Sequence, residues 1–252
     1  MGLIDQHNTL SHPVQPELSE GHCTRCGTCC RKGGPSLHRA DRDLVESGRI
    51  PLRDLFTIRK GEPSFDNVIN RIEPAASDII KIKGQGGRWT CRYLYVENNT
   101  CRIYSHRPAE CRALKCWDTR DISELYDRDR LTRRDLLGAV DGLWQMVQDH
   151  QAECSYDRLR KWMAALNDER RAAALERIGE MVHIDGKLRQ RVTETSKMDP
   201  GITDFLFGRS LTETIQLLGY RLEREGDRFR LRPQPVRRRQ SCKPVKLPET
   251  EI

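Results

Sequence analysis

Four cysteines fall within eight residues at Cys23-Thr-Arg-Cys26-Gly-Thr-Cys29-Cys30, and this cluster limits the possible folds more sharply than any other feature of the sequence. A Cys-x-x-Cys turn lets two sulfurs reach one ion while backbone amides point at the sulfur. Gly27, and Gly33-Gly34-Pro35 beyond it, permit the tight backbone such a turn needs. Adjacent side chains diverge in most backbone conformations. Cys29 and Cys30 are therefore expected either to leave one spare or to serve neighbouring sites. Further partners stand at Cys91, Cys101, Cys111 and Cys116. Eight thiols suffice for two tetrathiolate sites or two cubane clusters. Close cysteines followed by distant ones fit iron–sulfur binding at least as well as a zinc ribbon, which prefers two separated Cys-x-x-Cys knuckles.

The surroundings of these cysteines carry their own expectations. A tetrathiolate site holding a divalent ion bears about −2. Arg25, Arg31, Lys32, Arg92, Arg102, Arg107, Arg112 and Lys115 are placed to offset that charge and to lower thiol pKa values. Pro108 suits the first position of a helix, which would put Cys111 in the opening turn, where the positive end favours a thiolate. A turn at Asn98-Asn99 between residues 89–96 and 101–104 leaves the relation of Cys91 to Cys101 open. A two-residue turn pairs Val96 with Cys101 and puts Cys91 on the opposite face. A three-residue turn pairs Glu97 with Cys101 and puts both cysteines on one face. Cys154 and Cys242 read as free thiols, and His22 and His106 as surface or packing residues.

Ten cysteines in a chain whose N-terminus shows no basic stretch followed by an apolar run point to reduced thiols and a cytoplasmic protein. No run approaches the ~18 apolar residues of a membrane span. With 37% hydrophobic and 32% charged residues the core should be modest, so metal is expected to help hold the cysteine region. The net charge of +7 has a location: residues 228–246 hold eight basic residues and no acid, leaving about −1 for the rest. No basic face of the folded body is implied, and nucleic acid is not expected as a partner. Aromatic residues are absent beyond Phe229, so base stacking by the tail has no support.

The pattern predicts an α+β chain: a small irregular metal-stabilised cysteine domain with short strands, then a helical segment and a C-terminal helix–hairpin. Residues 1–20 read as a flexible arm, 21–120 as the cysteine-cluster domain, 121–200 as the helical segment, 201–232 as the helix–β-hairpin module and 233–252 as a disordered basic tail. A short helix is expected over 41–46 with Gly48 just past its end, and strands at Leu55–Ile58 and Ile79–Ile82. Leu136, Leu137, Val140, Leu143, Trp144 and Val147 follow helical spacing, started by Thr132 and Asp135. Leu159, Trp162, Met163 and Leu166 form a second stripe, and residues 172–182 a third. Ser210 with Glu213 should cap a helix whose Leu211, Ile215 and Leu218 share a face and which Gly219 ends. Gly226-Asp227 then closes a hairpin that sets Leu222 opposite Leu231, Glu223 opposite Arg230 and Glu225 opposite Arg228.

The opening motif, together with Cys101-Arg-Ile-Tyr-Ser-His-Arg-Pro-Ala-Glu-Cys111-Arg, resembles the YkgJ-type cysteine-cluster family, described as a zinc- or iron-chelating domain with a CxxCxxCC signature. The resemblance covers about residues 21–120. It implies Cys23, Cys26, Cys29, Cys30, Cys91, Cys101, Cys111 and Cys116 as ligands of an iron–sulfur cluster or of a zinc or iron ion. Flagellin lysine N-methylases carry a similar arrangement and are associated with an iron–sulfur cluster, which tilts the expectation toward iron. One function class is a metal-binding protein in metal handling or electron transfer. Another is an iron–sulfur oxidoreductase or a protein-modifying enzyme related to the methylase. The sequence shows neither a dinucleotide fingerprint nor a Walker A loop. Nor does it have the Cys-x3-Cys-x2-Cys spacing of radical enzymes, and it assigns no reaction. Arg59 and Lys60 follow a strand, where an exposed strand end is expected before a substrate pocket.

Overall fold

The computed structural model describes residues 23–66, 71–140, 142–195, 199–226 and 228–234. The expected arm, His22, the basic tail beyond Gln234 with Cys242, and Asp227 of the hairpin turn lie outside these residues, while Pro233, expected to open the tail, ends the last strand. In chain order the elements are α1 (Thr28–Lys32), α2 (Arg42–Glu46), β1 (Leu55–Ile58), β2 (Pro63–Asp66), β3 (Arg71–Pro74), β4 (Ile79–Ile82), β5 (Leu94–Tyr95) and β6 (Thr100–Cys101). They continue with α3 (Ala109–Ala113), α4 (Arg120–Leu125), α5 (Arg133–Leu137), α6 (Leu143–Glu153), α7 (Tyr156–Ala164), α8 (Arg171–Thr195), α9 (Ile202–Phe207), α10 (Leu211–Leu217), β7 (Tyr220–Glu225) and β8 (Arg228–Pro233). The class is α+β, with short antiparallel strand pairs β1–β4, β2–β3, β5–β6 and β7–β8. Among the described residues no helix is long and apolar enough to cross a membrane.

Strand β4 organises the cysteine region. Its Ile80 and Ile82 are buried in a first core with Leu37, Ile50, Leu55, Leu131, Leu137, Val147 and the aromatics of α9. Residues 35–37 run along it: Leu37 N donates to the Ile80 carbonyl oxygen at 2.9 Å, and Ile82 N donates to that of Pro35 at 3.0 Å. The approach depends on Gly34, where a Cβ would stand 2.2 Å from the Ile82 carbonyl oxygen. The β2–β3 hairpin, unforeseen in the sequence, pairs Phe65 with Ile72, both exposed.

The helical part differs from expectation at one point. Thr132 and Asp135 form the capping box, but the helix they start stops at Leu137. Gly138 caps it, and a new helix starts after Gly142 at a φ of 76°. Val140, expected on the apolar face, is exposed in the link. A second core joins Cys154, Tyr156, Leu159, Leu166, Ala174, Ile178, Met181, Leu211 and Ile215. Ser210 accepts from Glu213 N, and Gly219 follows the helix with a φ of 85°. Leu218 is exposed rather than sharing the buried face. The terminal hairpin has the predicted register and extends it to Tyr220 opposite Pro233.

Between the two cores lie buried charges. Arg59, expected at an exposed strand end, is fully buried, whereas Lys60 is exposed. Its Nη1 donates to the Cys154 carbonyl oxygen at 2.9 Å, and its guanidinium lies 4.6 Å from the Tyr156 ring centroid. The strand end turns inward because α6, α7 and α9 cover it. Arg133 is held by Asp78 and by the Leu206 carbonyl oxygen. Asp185 joins His150 at 2.8 Å, Arg189 at 3.0 Å and the Leu211 amide at 3.0 Å, so one carboxylate binds α6, α8 and the start of α10.

Candidate metal centre

The opening cysteine motif folds as a turn followed by one helical turn and a half. Gly27 precedes α1 with a φ of 74°, in the left-handed region that favours glycine. A Cβ there would stand 2.6 Å from Arg31 Nη1 and 3.0 Å from Asn99 Oδ1. The bare glycine lets Arg31 reach across, donating to the Cys26 carbonyl oxygen at 3.2 Å and to Asn99 Oδ1 at 2.5 Å. This pair ties the motif to the loop between β5 and β6. A second tie comes from Cys91 N, which donates to the Cys30 carbonyl oxygen at 2.7 Å. Cys91 is also bridged to Gly84, and Gln85 Nε2 donates to the carbonyl oxygens of Cys91 and Leu94 at 2.8 and 2.5 Å.

The β5–β6 loop follows neither expected register. Leu94 pairs with Cys101, leaving four residues, Val96 to Asn99, in the connection. Asn98 Oδ1 accepts from Thr100 N and Thr100 Oγ1, and Asn99 takes a φ of 59°, so the two asparagines build the loop's end rather than all of it. Strand pairing does not extend back to residue 89. Cys91 instead reaches Cys101 from the turn that Gln85 pins.

The thiols of Cys29, Cys30, Cys91, Cys101 and Cys111 lie close enough for their charges to act on one another. Cys26 is linked to the group through Cys29. Cys23 and Cys116 are exposed, and no hydrogen bond among the described residues joins them to the rest. The sulfurs of Cys29 and Cys30 are 3.9 Å apart. That answers the expectation that the two diverge. At a metal–sulfur bond near 2.3 Å the edge of a tetrahedron is about 3.8 Å, so both sulfurs suit one ion. Among the described residues no three His, Cys, Asp or Glu side chains are drawn to a closed coordination sphere. The arrangement is a gathered set of soft donors, chemistry that fits zinc or iron.

Electrostatics divide these thiols, easing ionisation at one and opposing it at others. The Cys29–Cys30 hydrogen bond holds Cys29 below the usual thiol range and Cys30 well above it, so the pair gives up one proton easily and keeps the second. Burial and the neighbouring thiols push Cys91 and Cys111 up. Cys111 therefore departs from the expected helix-end effect. Pro108 is the cap of α3 rather than its first residue, α3 has only five residues, and desolvation outweighs its dipole. Lys81, missed in the sequence, projects from β4 opposite the buried Ile80 and Ile82. Its charge acts on Cys91 and Cys111, and its Nζ donates to Ser36 Oγ at 3.2 Å. Glu110 accepts from the Ser36 amide at 2.6 Å and pairs with His38 at 3.4 Å. The alternation Ile-Lys-Ile in β4 was the available signal for Lys81.

The two cysteine-bearing stretches, 23–32 and 88–116, carry nine basic residues against two acids. Eight of the nine are the cations expected around the cysteines, with Arg88 added; acids elsewhere in the body cancel them in the total. No curated protein and no solved structure matches the chain. Residues 22–131, somewhat under half of the chain, match the family model described as "CxxCxxCC: Putative zinc- or iron-chelating domain", the signature family that the opening cysteine motif resembles.

Proposed function

We propose that the chain binds iron, as an iron–sulfur cluster or an ion, in preference to zinc, and serves metal handling or electron transfer in a compartment that keeps thiols reduced. Residues 21–120 are the metal-binding domain in this reading. The helical 121–200 and the helix–hairpin at 201–232 support it. Cys29, Cys30, Cys91, Cys101 and Cys111 are the primary donors, and Cys26, Cys23 and Cys116 complete the set once an ion draws them in. The observation that supports this most is that thiols from three separate stretches gather in one neighbourhood, with two sulfurs already at the edge length of a thiolate tetrahedron. Bound metal would supply a positive centre, and a redox-active one if iron; the chain supplies thiolates and a nearby Lys81.

Anaerobic purification with elemental analysis and a visible spectrum tests this. Iron with thiolate-to-iron absorption near ~400 nm is the expected result. Replacing Cys91 or Cys111 by Ser should remove most of the metal, whereas Cys154→Ser, in the second core, should leave the metal content unchanged. Zinc alone would overturn the preference for iron, and metal retained in both the Cys91 and Cys111 variants would overturn the donor set.

A further inference from the structure

Two guanidinium groups share one aromatic ring beside the thiols. Arg25 Cζ lies 4.2 Å from the Tyr104 ring centroid and Arg107 Cζ lies 3.9 Å from it, so the two charges are no more than about 8 Å apart. Arg25 holds a φ of 54°, a left-handed conformation seldom adopted by residues other than glycine. Arg107 Nε donates to the Tyr104 carbonyl oxygen at 3.1 Å, and Arg112 donates to the Arg107 carbonyl oxygen. Neither Arg25 nor Arg107 has a carboxylate partner among the described residues, in a protein where many half-buried and surface arginines do. Arg25 lies between Cys23 and Cys26, and Arg107 four residues before Cys111, which places the stack beside the thiol group.

Two like charges on one ring, that of Arg25 from a left-handed backbone, without a counter-ion, match an oxyanion. Each guanidinium is a planar fork suited to carboxylate or phosphate oxygens, and stacking on Tyr104 pre-sets its plane. The wider rim acts in the same sense. Of the nine basic residues on the cysteine-bearing stretches, Arg92, Lys115 and Arg112 meet Asp54, Asp121 and Asp41 from outside them; the remaining six against two acids still oppose a bare divalent cation on approach and attract a negatively charged chelate of it. We propose that Arg25 and Arg107, packed on Tyr104, form a subsite for the carboxylates of a small oxygen-donor chelator at the edge of the cysteine pocket. The chelator's part in delivering metal rests on the metal-binding reading; the anion subsite itself does not.

Calorimetry of citrate binding to the metal-free full chain, under reducing conditions, tests the subsite. Citrate should bind saturably, and more weakly as salt rises from about 50 to about 200 mM. Arg25→Gln with Arg107→Gln should weaken binding about tenfold or more. Arg177→Gln, on α8 and paired with Glu180, should leave it unchanged. Inorganic phosphate should bind several-fold more weakly than citrate; equal or tighter phosphate binding would overturn the carboxylate assignment. Citrate binding that is absent, or indifferent to the double substitution, overturns the subsite. Metal content after loading with the aqua ion should be the same in the double variant and the unsubstituted chain. Its loss in the variant alone would make the arginines part of the metal pocket and defeat the proposal. If the unsubstituted chain takes no metal yet citrate binding still depends on the two arginines, the metal reading fails and the subsite stands.

Discussion

His150 is completely buried, with Phe207 stacked at 4.7 Å between ring centroids and Asp185 accepting at Nε2. Burial pulls its imidazole down to about 4; the Asp185 hydrogen bond opposes this, while the charges of Arg59 and Arg189 add to it. The native ring is therefore neutral where the unfolded ring, near its ordinary value of about 6.5, takes a proton. The unfolded state binds more protons between roughly pH 6.5 and pH 4, so stability falls as pH drops through that window. The full shift amounts to something on the order of 3 kcal/mol. Denaturant midpoints measured at pH 7 and pH 4.5 should differ in that sense, and His150→Leu should flatten the difference. A stability rising toward acid would contradict this placement of the ring. None of it was legible in the sequence, because the partners lie far away: Asp185 is 35 residues on, and Arg59 meets Cys154 across 95 residues. A polar residue after a strand reads as exposed unless one knows what covers it. The cysteines were legible for the opposite reason. Their chemistry has few uses at such density, and spacing alone carries that signal. Which of the eight come together first was not legible, since it depends on Gln85 pinning Cys91 and on Arg31 crossing Gly27.

The element with two independent local signals was read down to its register, and those with one were read only in part. The β7–β8 hairpin had a glycine turn and matching charge and apolar pairs across the strands, and its register is as expected. β1 and β4 were marked by short apolar runs, although their mutual pairing was not foreseen. The helix expected through residues 136–147 had an apolar stripe but also Gly138 and Gly142, and the glycines prevail. The β5–β6 loop failed because Asn98 binds its own neighbour's backbone, which lengthens the turn. How the terminal hairpin sits on α8 is a tertiary matter. Phe229 lies over Gly179, where a Cβ would come within 2.1 Å of the ring. In an exposed helix Gly→Ala gains about 1 kcal/mol. Here Gly179→Ala should instead cost about 1–3 kcal/mol, because the ring must move off the helix. Thermal unfolding of the variant measures it, and a gain in stability would show that the hairpin does not rest on this face.

At the scale of the molecule the two cores divide the dependence on metal. The first core includes Cys91, with Cys30 and Cys101 packed against it, so the cysteine cluster and the apolar packing of β1, β4 and α9 share residues. The second core, from α7, α8, α10 and the terminal hairpin, contains Cys154 but none of the eight cluster cysteines. A ligand that binds only the folded state stabilises what must be folded to hold it, by about 2.7 kcal/mol at a hundredfold excess over its dissociation constant. That coupling should reach the first core and fade across the buried charges of Arg59, Glu62 and Asp185. Stripping the metal with a chelator, followed by amide hydrogen exchange, makes the division visible. Exchange in residues 26–37 and 84–103 should quicken by about a hundredfold, the factor equivalent to that stabilisation. Protection in 174–182 and 211–217 should stay as it was, and helical circular dichroism should change little. Acceleration spread evenly over both cores would mean that Asp185 and its neighbours lock the two into one cooperative unit, with the metal holding the whole chain.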